Sequence, residues 1–411
     1  MIEMDVKPTA KKNVLLLIPE MCVGGAQRSL ASLSVELARQ YNVWLVVFNK
    51  DMLAPYTMGG ELLSLDVFVG NSWLAKITSF YRRVISLKQL KRKLHIQASI
   101  SFLEGADYVN ILARENDKII ISIRGSKYHD DEISGVLGFV RLRLLMPLLY
   151  RLADKIVCVS HGIKAELKAG MGIMEDKLVV IHNFYDYNSL TTLTPADART
   201  EEKFAGLFRH EVILSVGRLH QQKNFLGLLD VFARVVEKNP NLKLVIVGDG
   251  PERVALIEKA KRLNLSAFTD DGPLEPELQK VFFTGYQKPG AFLKHAKLFL
   301  LPSLWEGFPN ALMEALAFGV PALSADCPTG PREILAPEAL NHSAGTIEYA
   351  DYGVLLPLLN SKESVDAWVS GILENIDNQI LLDKYRFKGP QRFKQFSGDV
   401  VYPEWIKLLE S

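Results

Sequence analysis

Cysteine is scarce in this chain: Cys22, Cys158 and Cys327 are the only three among 411 residues. They stand far apart, so no paired spacing suggests a zinc site. So few thiols fit a reducing compartment, with a buried small hydrophobe as their ordinary role. No run of about twenty apolar residues occurs, so no segment is expected to span a membrane. The opening Met-Ile-Glu-Met-Asp-Val-Lys-Pro has no apolar core behind a basic run, and a signal peptide is not expected. An excess of charge is missing too. With 48 Lys and Arg against 47 Asp and Glu, the net charge is +1, and no global field draws the chain to nucleic acid. Several catalytic signatures are absent: the Asp-x-Asp triplet, a His/Cys cluster of metal-ligand spacing, the Gly-x-Ser-x-Gly elbow and the Gly-Lys-Ser/Thr of a P-loop. The expectation is a cytosolic globular protein that requires no metal or other cofactor.

What is present is length and apolar content. At 411 residues and 48% hydrophobic, the chain has material for two domains with sizeable cores. Strand-like runs at Val14–Pro19, Val43–Phe48, Ala98–Phe102, Lys118–Ile123, Ile156–Ser160 and Leu178–Ile181 are separated by helical stretches. That alternation implies a parallel sheet covered by helices. Thr191–Ala205 is polar, carries Pro195 and lacks periodicity, so it reads as a linker. The pattern then restarts with strands at Val212–Val216, Leu242–Val247, Val281–Thr284, Leu298–Leu301 and Val320–Ser324. The reading is α/β, with two Rossmann-like doubly wound domains facing each other across a cleft. The first covers 1–190, a linker 191–210 and the second 211–385. A helical segment, 386–411, is a candidate to cross back to the first domain.

In doubly wound sheets ligands sit beyond the carboxyl ends of the strands. The loop Pro302–Pro309 and the helix after it are the most informative stretch. Glu306 and Glu314 are eight positions apart with a Gly-Phe-Pro turn between them. Glu306 is placed in the loop, Pro309 at the first helical position, Glu314 about one turn inside, and Gly319 past the end. Two carboxylates and the amides of Asn310 and Ala311 then converge, which suits a sugar attached to a phosphate. A plain surface helix with a Pro start and a Gly stop is the alternative. After Val212–Val216, Arg218 and Lys223 flank a turn into a helix. They could supply the fixed positive charge that a diphosphate leaving group needs, or be merely solvated. Gly248-Asp249-Gly250-Pro251 is either a tight turn or a place where a ligand approaches backbone. Gly24-Gly25, between a strand and a helix, would let a phosphate or sugar approach the helix start.

Trp73–Leu94 carries Lys76, Arg82, Arg83, Lys88, Lys91, Arg92 and Lys93 without an acid, interleaved with apolar residues. Such a helix either lies on an anionic membrane surface or packs on the sheet with a solvated basic face. Val136–Leu152, with Arg141, Arg143 and Arg151 among leucines, either extends that surface or is a buried helix.

Together the loops resemble the retaining glycosyltransferases of family 4, of GT-B fold. The resemblance covers most of the chain. It is closest over Val212–Leu335, through Gly217-Arg218-Leu219…Lys223, Val247–Pro251, Phe283-Thr284-Gly285 and Glu306-Gly307-Phe308-Pro309…Glu314. Gly24–Arg28 is similar to the family's first-domain loop. The resemblance implies that Arg218 and Lys223 hold a diphosphate, Glu306 sits beside the transferred sugar and Glu314 meets the ribose. Gly24, Gly25, Gly248, Gly307, Phe308, Pro309 and Asn310 would contribute to the donor site, with Phe283, Thr284 and Gly285 bordering the base. Where relatives commonly carry a first-domain histidine, this chain has Arg124, with His129 five residues later as a substitute on the sugar or acceptor side. The acidic stretch Thr269–Glu277 looks like an insertion.

The implied function is retaining transfer of a hexose or N-acetylhexosamine from a nucleotide sugar, UDP rather than GDP. The acceptor is a membrane-linked glycan in cell-surface polysaccharide, lipopolysaccharide or lipid-linked oligosaccharide synthesis. The implied place is the cytoplasm, peripheral on the inner face of the membrane. A non-catalytic nucleotide-binding partner and a GT-B-like nucleotide-sugar epimerase are the alternatives. The partner should have lost some of Arg218, Lys223, Glu306 and Glu314, which are all present.

Overall fold

A computed structural model describes residues 11–50, 56–68, 70, 72–129, 135–340 and 345–411. The segment 1–8, read above for a signal peptide, lies outside them. The chain divides into two compact units. One comprises residues up to Val159, Ile163–Phe184 and Val401–Ser411; the other comprises Ser160–Gly162 and Tyr185–Val400.

The first unit holds β1 (Asn13–Ile18), β2 (Asn42–Val47), β3 (Glu61–Ser64), β4 (Ala98–Phe102), β5 (Lys118–Ile123), β6 (Lys155–Cys158) and β7 (Leu178–Val180). They form one parallel sheet in the order β3-β2-β1-β4-β5-β6-β7. Its connecting helices are α1 (Gly25–Leu37), α2 (Trp73–Lys93), α3 (Glu104–Leu112), α4 (Gly135–Val140), α5 (Met146–Tyr150) and α6 (His161–Met171). A strand covered on both faces must be apolar throughout rather than alternating. In β1, Leu15 and Leu17 meet α2 and α3 on one face, while Val14, Leu16 and Ile18 meet α1 on the other.

The second unit repeats the plan with β8 (Glu211–Val216), β9 (Leu242–Val247), β10 (Ala267–Thr269), β11 (Val281–Phe283), β12 (Ala296–Leu301), β13 (Ala322–Ala325), β14 (Glu348–Tyr349) and β15 (Val354–Leu356). The order is β10-β11-β9-β8-β12-β13-β15-β14, parallel except for the β14–β15 pair at the edge. Its helices are α7 (Tyr187–Thr191), α8 (Pro195–Lys203), α9 (Phe225–Lys238), α10 (Arg253–Arg262), α11 (Gly290–His295), α12 (Asn310–Ala317), α13 (Pro331–Leu335), α14 (Lys362–Ile376) and α15 (Gln379–Lys394). The apolar 3-4-3-4 spacing of α9 delivers Phe225, Leu228, Leu229 and Phe232 to the core, opposite Trp368 of α14.

Three readings of the sequence change. The linker at 191–210 is structured: Thr194 and Asp197 form a capping box and Pro195 occupies the first turn of α8, where its missing N–H costs nothing. Phe204 then anchors the segment by packing on Phe292 at 5.1 Å. The boundary at 385 falls inside α15, and the second unit runs on to Val400. The final helix, α16 (Gly398–Glu410), delivers Val401–Ser411 to the first unit, where Trp405 stacks on Phe102.

The third correction concerns Lys91, counted above in a basic surface. It is fully buried beneath α2, where its ammonium lies 2.8 Å from Asp117 and donates to Asn110 Oδ1 and Ser99 Oγ. Burial draws the Lys91 pKa down to about 8, against the upward pull of Asp117. Removing one partner of such a pair strands the other charge in the interior. Lys91→Ala is therefore expected to cost about 3–5 kcal/mol in urea unfolding, whereas Lys93→Ala on the exposed side should change stability by less than about 0.5 kcal/mol.

Candidate active site

The site in the second unit is built from loops at the carboxyl ends of neighbouring strands. From β8 the chain runs through Gly217 and the exposed Arg218 into a 3₁₀ turn, Gln221–Lys223. Asn224 ends that turn in the left-handed region (φ 50°) and caps α9 by accepting from the Gly227 amide. This places the Lys223 stem over Gly217, where an added Cβ would lie 3.2 Å from Lys223 Cε. The Lys223 ammonium reaches Glu306 Oε1 at 2.5 Å.

Glu306 is 5% exposed. Its Oε1 also accepts from Ser303 Oγ at 2.6 Å. Backbone bonds fix the loop that carries it on two sides. Leu304 donates to the Gln222 carbonyl, and Gln222 Nε2 donates to the Trp305 carbonyl at 2.7 Å. On the other side the Glu306 amide donates to Pro328 O, and the Thr329 amide donates back to Glu306 O. Thr329 Oγ1 bridges the carbonyls of Glu306 and Gly307. Gly330 (φ 93°) lets the two loops approach this closely, because a Cβ there would meet Gly307 O at 2.7 Å.

Pro309 is the N-cap of α12 rather than its first helical residue, so the helix opens with Asn310, one residue later than expected. Asn310 Oδ1 accepts from the Tyr185 hydroxyl at 2.6 Å. Glu314 is buried on α12, and Gly319 takes the left-handed conformation (φ 66°) after the helix. Phe308 is buried against Phe396, with ring centroids 5.1 Å apart. Burial pushes the thiol of nearby Cys327 well above its ordinary range.

The glycines after β9 have a reason of their own. Gly248 (φ 148°) donates to Gly285 O, and a Cβ on it would lie 1.9 Å from Gly217 O. An added Cβ at Gly250 would lie 2.5 Å from Leu219 O. These residues are small because the β8 and β9 loops touch backbone to backbone. Gly285 (φ 69°) turns the chain beside Asp270, which is ion-paired with Arg253. The acidic stretch 269–277 begins at the end of edge strand β10 and includes that Asp270. Phe283, assigned above to the base, is instead a fully buried member of the hydrophobic core. Thr284 is buried as well. In this run only backbone and Gly285 remain to border a ligand.

In the first unit Gly24 is the N-cap of α1, with ordinary extended backbone, and Gly25 is the first helical residue. Arg124 donates to Asn183 Oδ1 and Ser122 Oγ, and its guanidinium lies 5.0 Å from the Phe102 ring centroid. Asn183 Oδ1 also accepts from Ser29 Oγ of α1. His129 goes elsewhere: its Nδ1 lies 2.8 Å from Ser126 Oγ and 3.4 Å from Glu166 on α6. Burial raises the Glu166 carboxyl, opposed by the Ser126 hydroxyl and by His129. Arg124 and His129 thus have different partners. Sequence reasoning missed Ser303, Gln222 and Thr329 as the groups that hold Glu306. Ser303, three residues before Glu306, carried the nearest signal.

Two Rossmann-like units with these strand-end loops define the GT-B glycosyltransferase class. The family model for Glycosyltransferase Family 4 matches residues 23–189, and that for Glycosyl transferases group 1 matches residues 198–348. The Erwinia amylovora amylovoran biosynthesis glycosyltransferase AmsD is 31% identical over 79% of this chain and 83% of its own. A Campylobacter jejuni relative is 24% identical over 94% of this chain and 96% of its own. It is an N-acetylgalactosamine-N,N'-diacetylbacillosaminyl-diphospho-undecaprenol 4-alpha-N-acetylgalactosaminyltransferase. Anabaena HepE, solved in complex with UDP and glucose, superposes with a TM-score of 0.74 at 17% identity, covering 97% of this chain and 99% of that one. The chain belongs to glycosyltransferase family 4 and is a hexosyltransferase.

The Lys223–Glu306 pair predicts a specific stability pattern. Lys223→Ala leaves a buried carboxylate supported by Ser303 alone and is expected to cost about 3 kcal/mol. Adding Glu306→Gln should restore most of that loss in a double-mutant cycle read by thermal unfolding. Strictly additive losses would mean that the pair carries no mutual stabilisation.

Proposed function

We propose that the chain is a retaining glycosyltransferase moving a hexose or N-acetylhexosamine from a UDP-sugar to a hydroxyl of a membrane-linked glycan. It would work at the cytoplasmic face of the membrane without a metal ion. The observation that carries this reading is the Lys223–Glu306–Ser303 cluster beside Arg218. Both named hydrogen bonds to the carboxylate fall on Oε1, so Oε2 is the oxygen left to accept from a sugar hydroxyl. Lys223 spends one N–H on Glu306 and has two others for a phosphate oxygen. Arg218, exposed at the end of β8, adds a second fixed cation. Charge developing on a departing diphosphate is stabilised by donors already in place. The α12 amides and the buried Glu314 complete a donor side suited to phosphate and ribose.

The relatives support the finer points. The HepE complex holds UDP with glucose. The Campylobacter enzyme makes an alpha linkage on a diphospho-undecaprenol carrier. On a retaining front face, the leaving phosphate itself can take the acceptor proton, so Arg124 in place of histidine does not remove a required base. Arg124 would act by orienting Asn183 and by its charge. His129, held by Ser126 and Glu166, would serve the acceptor side.

Arg218→Ala is the discriminating variant, because no ion pair among the described residues holds this side chain and the fold should be unaffected. It is expected to lose about 3–4 kcal/mol of transition-state stabilisation, two to three decades in turnover. The assay is UDP release with a panel of UDP- and GDP-sugars and a lipid-linked glycan acceptor, with the product anomer read by NMR. Near-wild-type turnover would remove Arg218 from the mechanism; an inverted anomer would overturn retention.

A further inference from the structure

Among the described residues no helix is long and apolar enough to cross a membrane. Yet twelve of the 23 exposed large apolar side chains among the described residues lie on α2, α3 and the stretch from α4 to Leu152. These helices form one layer. α2 and α5 both contact α3, with Tyr108 of α3 6.3 Å from Tyr150 of α5.

Helix α2 is apolar on two faces. Phe80, Val84 and Leu87 enter the core beneath it. A second set, Trp73, Ile77, Tyr81 and Ile85, recurs every fourth residue and is 45–68% exposed. An amphipathic helix that only packs on its sheet needs the first face and not the second. The stretch from α4 through α5 repeats the feature. Met146 and Tyr150 are buried, while Val140, Leu144, Leu148 and Leu152, again every fourth residue, are 43–61% exposed.

The ionic side chains that these two stretches themselves carry have one sign. Neither α2 nor the stretch 135–152 contains an Asp or Glu. Lys91 is turned inward, Lys88 and Arg92 are held by Glu115, and Arg141 is held by Glu104. Lys76, Arg82 and Arg143 are exposed and have no ion pair among the described residues. A second copy of this chain is a poor occupant, because a two-fold contact would set this cationic face against itself. An acidic, apolar-cored surface is the complement.

We propose that the layer formed by α2, α3 and α5 is an interfacial docking surface for an anionic lipid bilayer. The two apolar stripes enter the headgroup region, and Lys76, Arg82 and Arg143 meet acidic headgroups. Trp73 and Tyr81 are the side-chain types that settle at such an interface. The proposal deepens the membrane-acceptor reading above but rests on it only for its purpose, since lipid binding requires neither donor nor acceptor.

The test is co-sedimentation of the full chain, without donor or acceptor, with vesicles of phosphatidylcholine alone or mixed with phosphatidylglycerol. Binding should favour the mixed vesicles. Arg82→Gln and Arg143→Gln should each weaken it about fivefold. Ile77→Ser with Tyr81→Ser, and separately Leu144→Ser with Leu148→Ser, should each weaken it further than either charge change. All four positions are exposed, so circular dichroism should be unchanged. Binding that survives the Leu144/Leu148 pair would remove α4 and α5 from the surface. No vesicle binding by the unaltered chain, or a dimer by light scattering that the same variants abolish, would overturn the proposal. Vesicle binding without sugar transfer would leave it standing and count against the proposed reaction instead.

Discussion

The buried ion pair of Lys223 with Glu306 is the interaction on which the candidate active site depends. It joins the loop after β8 to the loop after β12, and the backbone bonds of Glu306 to Pro328 and Thr329 add the loop after β13. Three strand ends are thereby held in one arrangement. A carboxylate this deeply buried has to be paired, so the cation that would face a phosphate is also the one that makes Glu306 tolerable in the interior. Preorganisation and stability are the same contact here.

Much of this was legible in the sequence because it is carried by periodicity and by position. Continuous apolar strands alternating with helices announced two parallel sheets, and the residue types at the strand ends announced a charged site. What escaped notice was short or local. β14, at the antiparallel edge, has two residues, too few for a period to register. The helix at Pro195–Lys203 is concealed by Pro195, which reads as a breaker in a polar stretch, whereas the Thr194–Asp197 capping box makes it a helix start. Phe283 was misplaced for a different reason. A motif gives the position of the backbone, but only the strand's pleat decides which way the side chain points, and here it points to the core.

Lys91 and the exposed stripes of α2 show the limit of reading amphipathicity from charge. In sequence, seven cations and interleaved hydrophobes describe one basic face and one apolar face. In the fold, a lysine lies in the core while tryptophan and tyrosine face outward. The inversion is possible because Asp117, Asn110 and Ser99 form a polar socket inside the unit, which no local pattern on α2 reveals.

The first unit is discontinuous, since Trp405 of α16 fills its core against Phe102. During synthesis, the strands of that unit emerge some 200 residues ahead of the helix that covers them. Until α16 arrives, the face holding Val14, Leu16 and Ile18 lacks part of its apolar cover. The nascent chain therefore carries an unfinished hydrophobic surface throughout translation of the second unit.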